Sequence, residues 1–169
     1  MKIDKIDLQV KQWHEVRPDI EPEIMGLFAR LLRVSNHISK GIWDQHKSMG
    51  LSKGDFDILA TLRRNGEPYI MTPTDLYKST MLTSGAITNR LDKLEKTGWI
   101  ERTHSQHDRR SYLVKLSDQG MEKIDNSLLA HVENEHALSA SLTQKQKSQL
   151  DALLKIWLIQ FEGELDSAD

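Results

Sequence analysis

Apolar residues recur along most of this chain at intervals of three and four, and in one short region at intervals of two. Leu8, Val10, Trp13 and Val16 predict a short helix that Asp4 or Asp7 caps and Arg17-Pro18 ends. Ile24, Leu27, Phe28, Leu31, Leu32, Val34, Ile38 and Ile42 predict a long helix from about Pro22 to Ser48, stopped by Gly50. A third helix starts at Ser52, carries Phe56, Ile58, Leu59 and Leu62 on its apolar side, and ends at Asn65-Gly66. Tyr69-Ile70-Met71 fits a minimal strand. Thr72-Pro73 reads as an N-cap with proline at the first helical position, and that helix has at most two turns, to Ser79. Thr83 caps the next helix, which runs to Thr97 with Ile87, Leu91 and Leu94 inward and Gly98 as its C-cap.

The period then becomes two. Trp99 to Thr103 reads as one strand and Tyr112 to Leu116 as its partner, joined by a loop that concentrates His104, His107, Asp108, Arg109 and Arg110. Two helices close the chain. One spans Asp118 to about His136 with Met121, Ile124, Leu128 and Val132. The other opens at the capping-box pattern Thr143-Gln144-Lys145-Gln146 and carries Leu150, Leu153, Leu154, Trp157, Leu158, Phe161 and Leu165.

A short helix, a tight turn, a capped helix and a two-stranded wing predict a mainly α fold with a small β wing, a winged helix-turn-helix. Thr83, Ser84, Gly85, Thr88 and Asn89 stand at the front of the second helix, opposite or flanking its apolar stripe. Small polar side chains there reach base edges, and the helix N-terminus favours a phosphate. An ordinary amphipathic helix has the same polar outer face; the wing directly behind it is what favours DNA.

Charge changes the picture more by place than by sum. The net charge is −2, yet from Thr83 to Ser117 there are seven Lys/Arg against four Asp/Glu, and from Met121 to Asp169 four against nine. A basic middle beside an acidic end gives one face to a polyanion. With no cysteine, disulfides, thiolate zinc sites and thiol redox sensing are excluded. The histidines have no metal-ligand spacing, no cofactor is expected, and neither a nucleophile motif nor a phosphate-binding glycine loop points to an enzyme. No signal peptide or membrane span is legible, so a cytoplasmic protein is expected.

Asp108, Arg110, Val114, Leu116, Ser117 and Gly120 stand at the spacings of D-x-R-x-x-x-V-x-L-[ST]-x-x-G. This resembles the wing signature of MarR-family transcriptional regulators, and the resemblance covers nearly the whole chain. It implies that Arg110 enters the minor groove, oriented by Asp108, with Arg109 available to a phosphate; a narrow minor groove does attract arginine. It also implies N- and C-terminal dimerisation helices (1–50 and 118–169) flanking the DNA-binding unit (51–117). The partners are then a second copy of the chain and double-stranded DNA with a pseudo-palindromic operator.

The added N-terminal helix, the run from Phe56 to Arg64 and the run from Thr88 to Glu95 are similar to the PecS-type, urate-responsive branch. The resemblance carries that branch's ligand-associated residues onto Trp13, Asp57, Arg64 and Arg90. Seven residues of helix put Asp57 and Arg64 on one face, about 10 Å apart along the axis, a gap that admits a flat heterocycle. A repressor released by urate or a related purine is implied. Another aromatic or phenolic anion, or a constitutive DNA binder with no sensor, remains open. Trp13 as a plain core anchor, Asp57 and Arg64 as a structural ion pair and Arg90 as a phosphate contact are the plainer alternatives.

Overall fold

The computed structural model describes residues 2–80, 82–104 and 112–164. The loop residues Asp108, Arg109 and Arg110, and Leu165 near the C-terminus, lie outside them. The elements run α1 (Lys5–Val16), α2 (Pro22–Ser48), α3 (Lys53–Arg64), β1 (Ile70–Met71), α4 (Pro73–Ser79), α5 (Ser84–Lys96), β2 (Ile100–His104), β3 (Tyr112–Leu116), α6 (Asp118–Leu138) and α7 (Gln144–Glu162). The mainly helical class and the order of elements agree with the sequence reading.

Local chemistry sets the boundaries. Asp4 caps α1, and Asp7 returns the bond to the Asp4 backbone, so both acids act in one capping box. Ser52 and Asp55 form a second box on α3, and Thr143 and Gln146 a third on α7. Thr83 stands at the N-cap position of α5, but its side chain accepts no capping bond. At the other end of α5, Gly98 adopts φ +74°. Its N–H donates to Glu95 O (2.9 Å) and the N–H of Trp99 to Leu94 O (3.0 Å), a Schellman turn that sends the chain into β2.

The sheet has three antiparallel strands in the order β1-β3-β2. In the wing pair, Ile100 faces Leu116 and His104 faces Tyr112; Ile70 and Met71 add to the far edge of β3 opposite Lys115 and Val114. The sequence suggested the minimal strand but not its partner.

One core seats α5. Leu59, Leu62, Leu76, Leu91, Leu94 and Val114 are all fully buried, joined by Ile58, Ile100 and Ile124. At about 1.5–3 kcal/mol per fully buried side chain, this cluster fixes α3, α4, α5, the sheet and the start of α6 as a unit. Ser117 knots the corner where they meet. Its hydroxyl donates to Gly98 O (2.6 Å) and accepts from Gly120 N (3.0 Å), while its N–H donates to Trp99 O (3.2 Å).

The outer helices are built differently. Arg30 of α2 holds α1 through Asp4 (2.8 Å) and Asp7 (2.6 Å), and Gly26 leaves room for Val10 and Ile6 of α1. Gln45 donates to Ala130 O and Asn134 to Gly41 O, tying α2 to α6. Beyond that, Ile24, Leu27, Phe28 and Leu32 of α2 and Leu153, Ile156, Leu158 and Phe161 of α7 remain exposed. Trp157 meets Phe28 edge-on at 5.5 Å.

A β-carbon on Gly120 would lie 1.8 Å from the Trp99 carbonyl oxygen, a backbone atom. Gly120→Ala is therefore expected to destabilise the protein by about 2–4 kcal/mol, read as a lowered midpoint in chemical denaturation.

Candidate nucleic-acid interface

The polar front of α5 is open to solvent. Gly85, Thr88 and Asn89 are exposed on one face, Thr83 is exposed just ahead of it, and Ser84 begins the helix. The opposite side is fixed by buried Ile87, Leu91 and Leu94. Short side chains on a rigidly seated helix, with its positive end foremost, suit insertion into a major groove.

The orientation of α5 depends on a buried carboxylate that the sequence reading passed over. Asp55, in the first turn of α3, is fully buried. It accepts from Lys93 Nζ (2.7 Å), more weakly from Arg90 Nη1 (3.4 Å), and from its own N-cap, Ser52 N (2.9 Å). Burial opposes its ionisation, but the bonds from Lys93 and Ser52 outweigh burial and hold its pKa below the ordinary value. The pattern Ser52-x-x-Asp55 was a legible signal of the cap; the two cations from α5 were not.

Of the four residues assigned to an effector, three gather on α3 and α5. Arg90 crosses Gly54, where a β-carbon would come within 3.2 Å of its Nε. Asp57 follows one turn later. Burial pushes its carboxyl up from the ordinary value, against the pull of Lys53 and Arg64. Arg64 donates to Ser79 O (2.7 Å) at the end of α4. Trp13 is placed by a different contact. It lines the seam between α1 and α2 with Ile6, Gln9, Val10, Pro22 and Met25. The assigned DNA contacts Asp108, Arg109 and Arg110 lie outside the described residues.

A second unread feature joins α2, α3 and α6. His46 stacks on Phe56 with ring centroids 4.0 Å apart, and its Nε2 is 3.2 Å from Nδ1 of His131. His131 Nε2 in turn faces Glu135 at 3.2 Å. Nδ1 of His46 is buried with no hydrogen-bond partner among the described residues. Burial, with the nearby His131 second, lowers the His46 pKa to about 4. The two histidines are 85 positions apart, and no local pattern links them.

A MarR family model matches residues 49–111, which contain α3, α4, α5 and the first wing strand, β2. The chain is 39% identical over 145 residues to the HTH-type transcriptional regulator PecS of Dickeya dadantii, covering 86% of this chain and 87% of that one. The chain belongs to the MarR family. It is also 30% identical over 139 residues to the multiple antibiotic resistance protein MarR of Salmonella typhimurium, spanning 81% of this chain and 94% of that protein. Among solved structures, a mutant E. coli MarR complexed with operator DNA superposes with TM-score 0.68 at 25% identity, over 86% of this chain and 97% of that one. AbsC of Streptomyces coelicolor, TM-score 0.73 at 22% identity over 86% and 97% of the two chains, shares the fold. The regulator is thus a MarR-type, DNA-binding transcription factor rather than an enzyme. No helix among its described residues is long and apolar enough to cross a membrane.

The His46 geometry has a direct consequence for stability. A folded pKa near 4 lies below the unfolded value of 6.5, so the unfolded chain binds the extra proton between those limits. The contribution is complete above about pH 6.5 and is lost as pH falls toward 4. On the order of 2 kcal/mol should disappear between pH 7 and 4.5. The groups facing His46 are Phe56 from α3 and His131, backed by Glu135, from α6. His46→Phe should flatten this part of the stability–pH curve in urea titrations; an unchanged slope would show that the imidazole is not buried neutral.

Proposed function

We propose that this regulator is a repressor that grips a pseudo-palindromic operator as a homodimer and lets go when urate or a related purine binds. The observation that carries the reading is Arg90. It sits on the helix that faces DNA, and it is held at the N-terminal end of α3, one turn from Asp57. An anion that takes the guanidinium acts on that helix directly. For release to follow, the anion must bind the DNA-incompetent arrangement more tightly than the competent one.

The second copy is supported by the apolar faces of α2 and α7. Phe161 is 73% exposed, Ile156 70% and Leu153 66%, far more apolar surface than a free helix of this length carries without cause. A two-fold partner covering those faces would present two copies of α5, matched to two half-sites. It would also decide what lies over Trp13, 39% exposed in the single chain. Arg110, oriented by Asp108, and Arg109 are assigned to the minor groove and a phosphate on the family resemblance.

A gel shift on the intergenic duplex beside the regulator's own gene tests the reading. The parent should bind with steep salt dependence, and urate should release it, with xanthine and salicylate as the alternative anions. Arg110→Ala should weaken operator binding at least tenfold, equivalent to about 1.4 kcal/mol; equal affinity would remove the wing from the interface. Release by salicylate alone would move the effector to the phenolic class. No release, with no ligand raising the melting temperature, would leave a constitutive binder.

A further inference from the structure

Arg102 belongs to neither the core nor the assigned DNA contacts, yet three charged or aromatic groups converge on it. Alternation along β2 puts Arg102 on the same face as buried Ile100. Opposite strand β3 presents Tyr112, Val114 and Leu116 on that face, the last two buried. Arg102 thus stands where the wing's inner face emerges from the core, and only 19% of its side chain is exposed. Its Nη2 donates to Asp92 Oδ1 at 2.6 Å, its Nε lies 3.3 Å from Glu95 Oε2, and its guanidinium carbon sits 4.9 Å from the Tyr112 ring centroid.

The two acids are three apart on α5, so they share a face. Asp92 lies three beyond Asn89 and four beyond Thr88, one turn farther along the exposed strip that those residues occupy. A carboxylate there repels a phosphate backbone, and the nearest described cation that bonds to it is Arg102.

We propose that Arg102 is a positioning residue for DNA recognition. It clamps the base of the wing to the DNA-facing helix, so that both elements meet the duplex at one fixed angle. The planar guanidinium serves this better than an ammonium. It spans two carboxylates and lies against an aromatic ring at the same time. The clamp rests on the DNA-binding assignment above. Its specific consequence is for discrimination: with the clamp open, α5 and the wing each still attract phosphates, but they no longer dock in register on one site.

The experiment measures binding of the full-length parent, Arg102→Gln, Arg102→Lys and the double variant Asp92→Asn/Glu95→Gln. Two duplexes are used, the intergenic DNA beside the regulator's own gene and a scrambled duplex of the same length. The quantity read is the ratio of the two affinities. A parent ratio near one would overturn the intergenic site as the operator and, with it, this proposal; only a parent with a high ratio exposes the clamp. Arg102→Gln should lower the ratio at least fivefold, and Arg102→Lys should restore only part of it. The double variant decides between positioning and simple charge. Removing two acids from the DNA-facing helix tightens binding to any duplex on electrostatic grounds. Under the clamp its affinity for the scrambled duplex should rise while its ratio falls at least fivefold. Asp92 and Glu95 are 49% and 45% exposed, so this variant keeps the test intact even where Arg102→Gln fails to fold. An unchanged ratio in the double variant overturns the proposal.

Discussion

The ion cluster around Asp55 is the constraint on which the winged half of this protein depends. The apolar stripe of Ile87, Leu91 and Leu94 decides which side of α5 faces inward. Apolar contacts are non-directional, however, and leave a helix free to slide or roll by small amounts. Asp55 removes that freedom. A carboxylate with no solvent exposure must find its partners inside. Two of them are side chains of α5, Lys93 at 2.7 Å and Arg90 at 3.4 Å. Leaving such a group unpaired costs about 3–5 kcal/mol, comparable to a large share of a small protein's net stability. The cost sets register rather than adding much stability, because taking the charges out of water offsets most of their attraction.

Two kinds of cohesion follow. The winged unit closes on itself through a continuous core and through the polar knot of Ser117, Gly98 and Gly120 at its corner. The outer helices do not. Arg30 pins α1 on α2 by charge-assisted bonds, while the apolar residues of α2 and α7 face outward. Between the two regions lies the His46–His131–Phe56 stack, where the end of α2, the start of α3 and the middle of α6 meet. On the proposed dimer, the winged unit would read DNA while the apolar faces of the outer helices pair the two copies.

What the sequence disclosed tracks how local the physics is. Caps are local, so Ser52, Thr72 and Thr143 were placed at helix starts, and all three side chains accept the capping bonds. The Asp4 or Asp7 alternative resolved into both, since a capping box uses the two reciprocally. Periodicity gave the faces of α3 and α5 and the pairing of the two wing strands, while their register came only with the fold. Thr83 shows the limit, for its position as N-cap was legible but not the missing side-chain bond. Long-range pairs were invisible: Asp55 with Lys93, Arg102 with Asp92, His46 with His131. Each joins residues whose spacing carries no period, so only the folded chain brings them together. Trp13 shows the same limit from the other side. The sequence placed it on an added helix, but which surface that helix would line was not readable from its own residues.

The unequal strengths within the Asp55 cluster bear on how an effector could act. Lys93 holds the carboxylate closely and Arg90 loosely, and the Arg90 side chain is 37% exposed whereas Asp55 is wholly buried. An anion approaching α3 therefore meets a guanidinium that can turn toward it while Lys93 and Ser52 keep Asp55 satisfied. Burial pushes the Asp57 carboxyl up from its ordinary value, against the pull of Lys53 and Arg64. Moving one guanidinium without breaking the buried pair involves about 1–3 kcal/mol, the usual range of coupling between sites, and not the 3–5 kcal/mol of an orphaned charge. On the proposed mechanism the switch is then a tilt of α5 about a fixed Lys93 anchor, small enough to reverse when the ligand leaves and large enough, over two copies of the helix, to spoil the match to a palindrome.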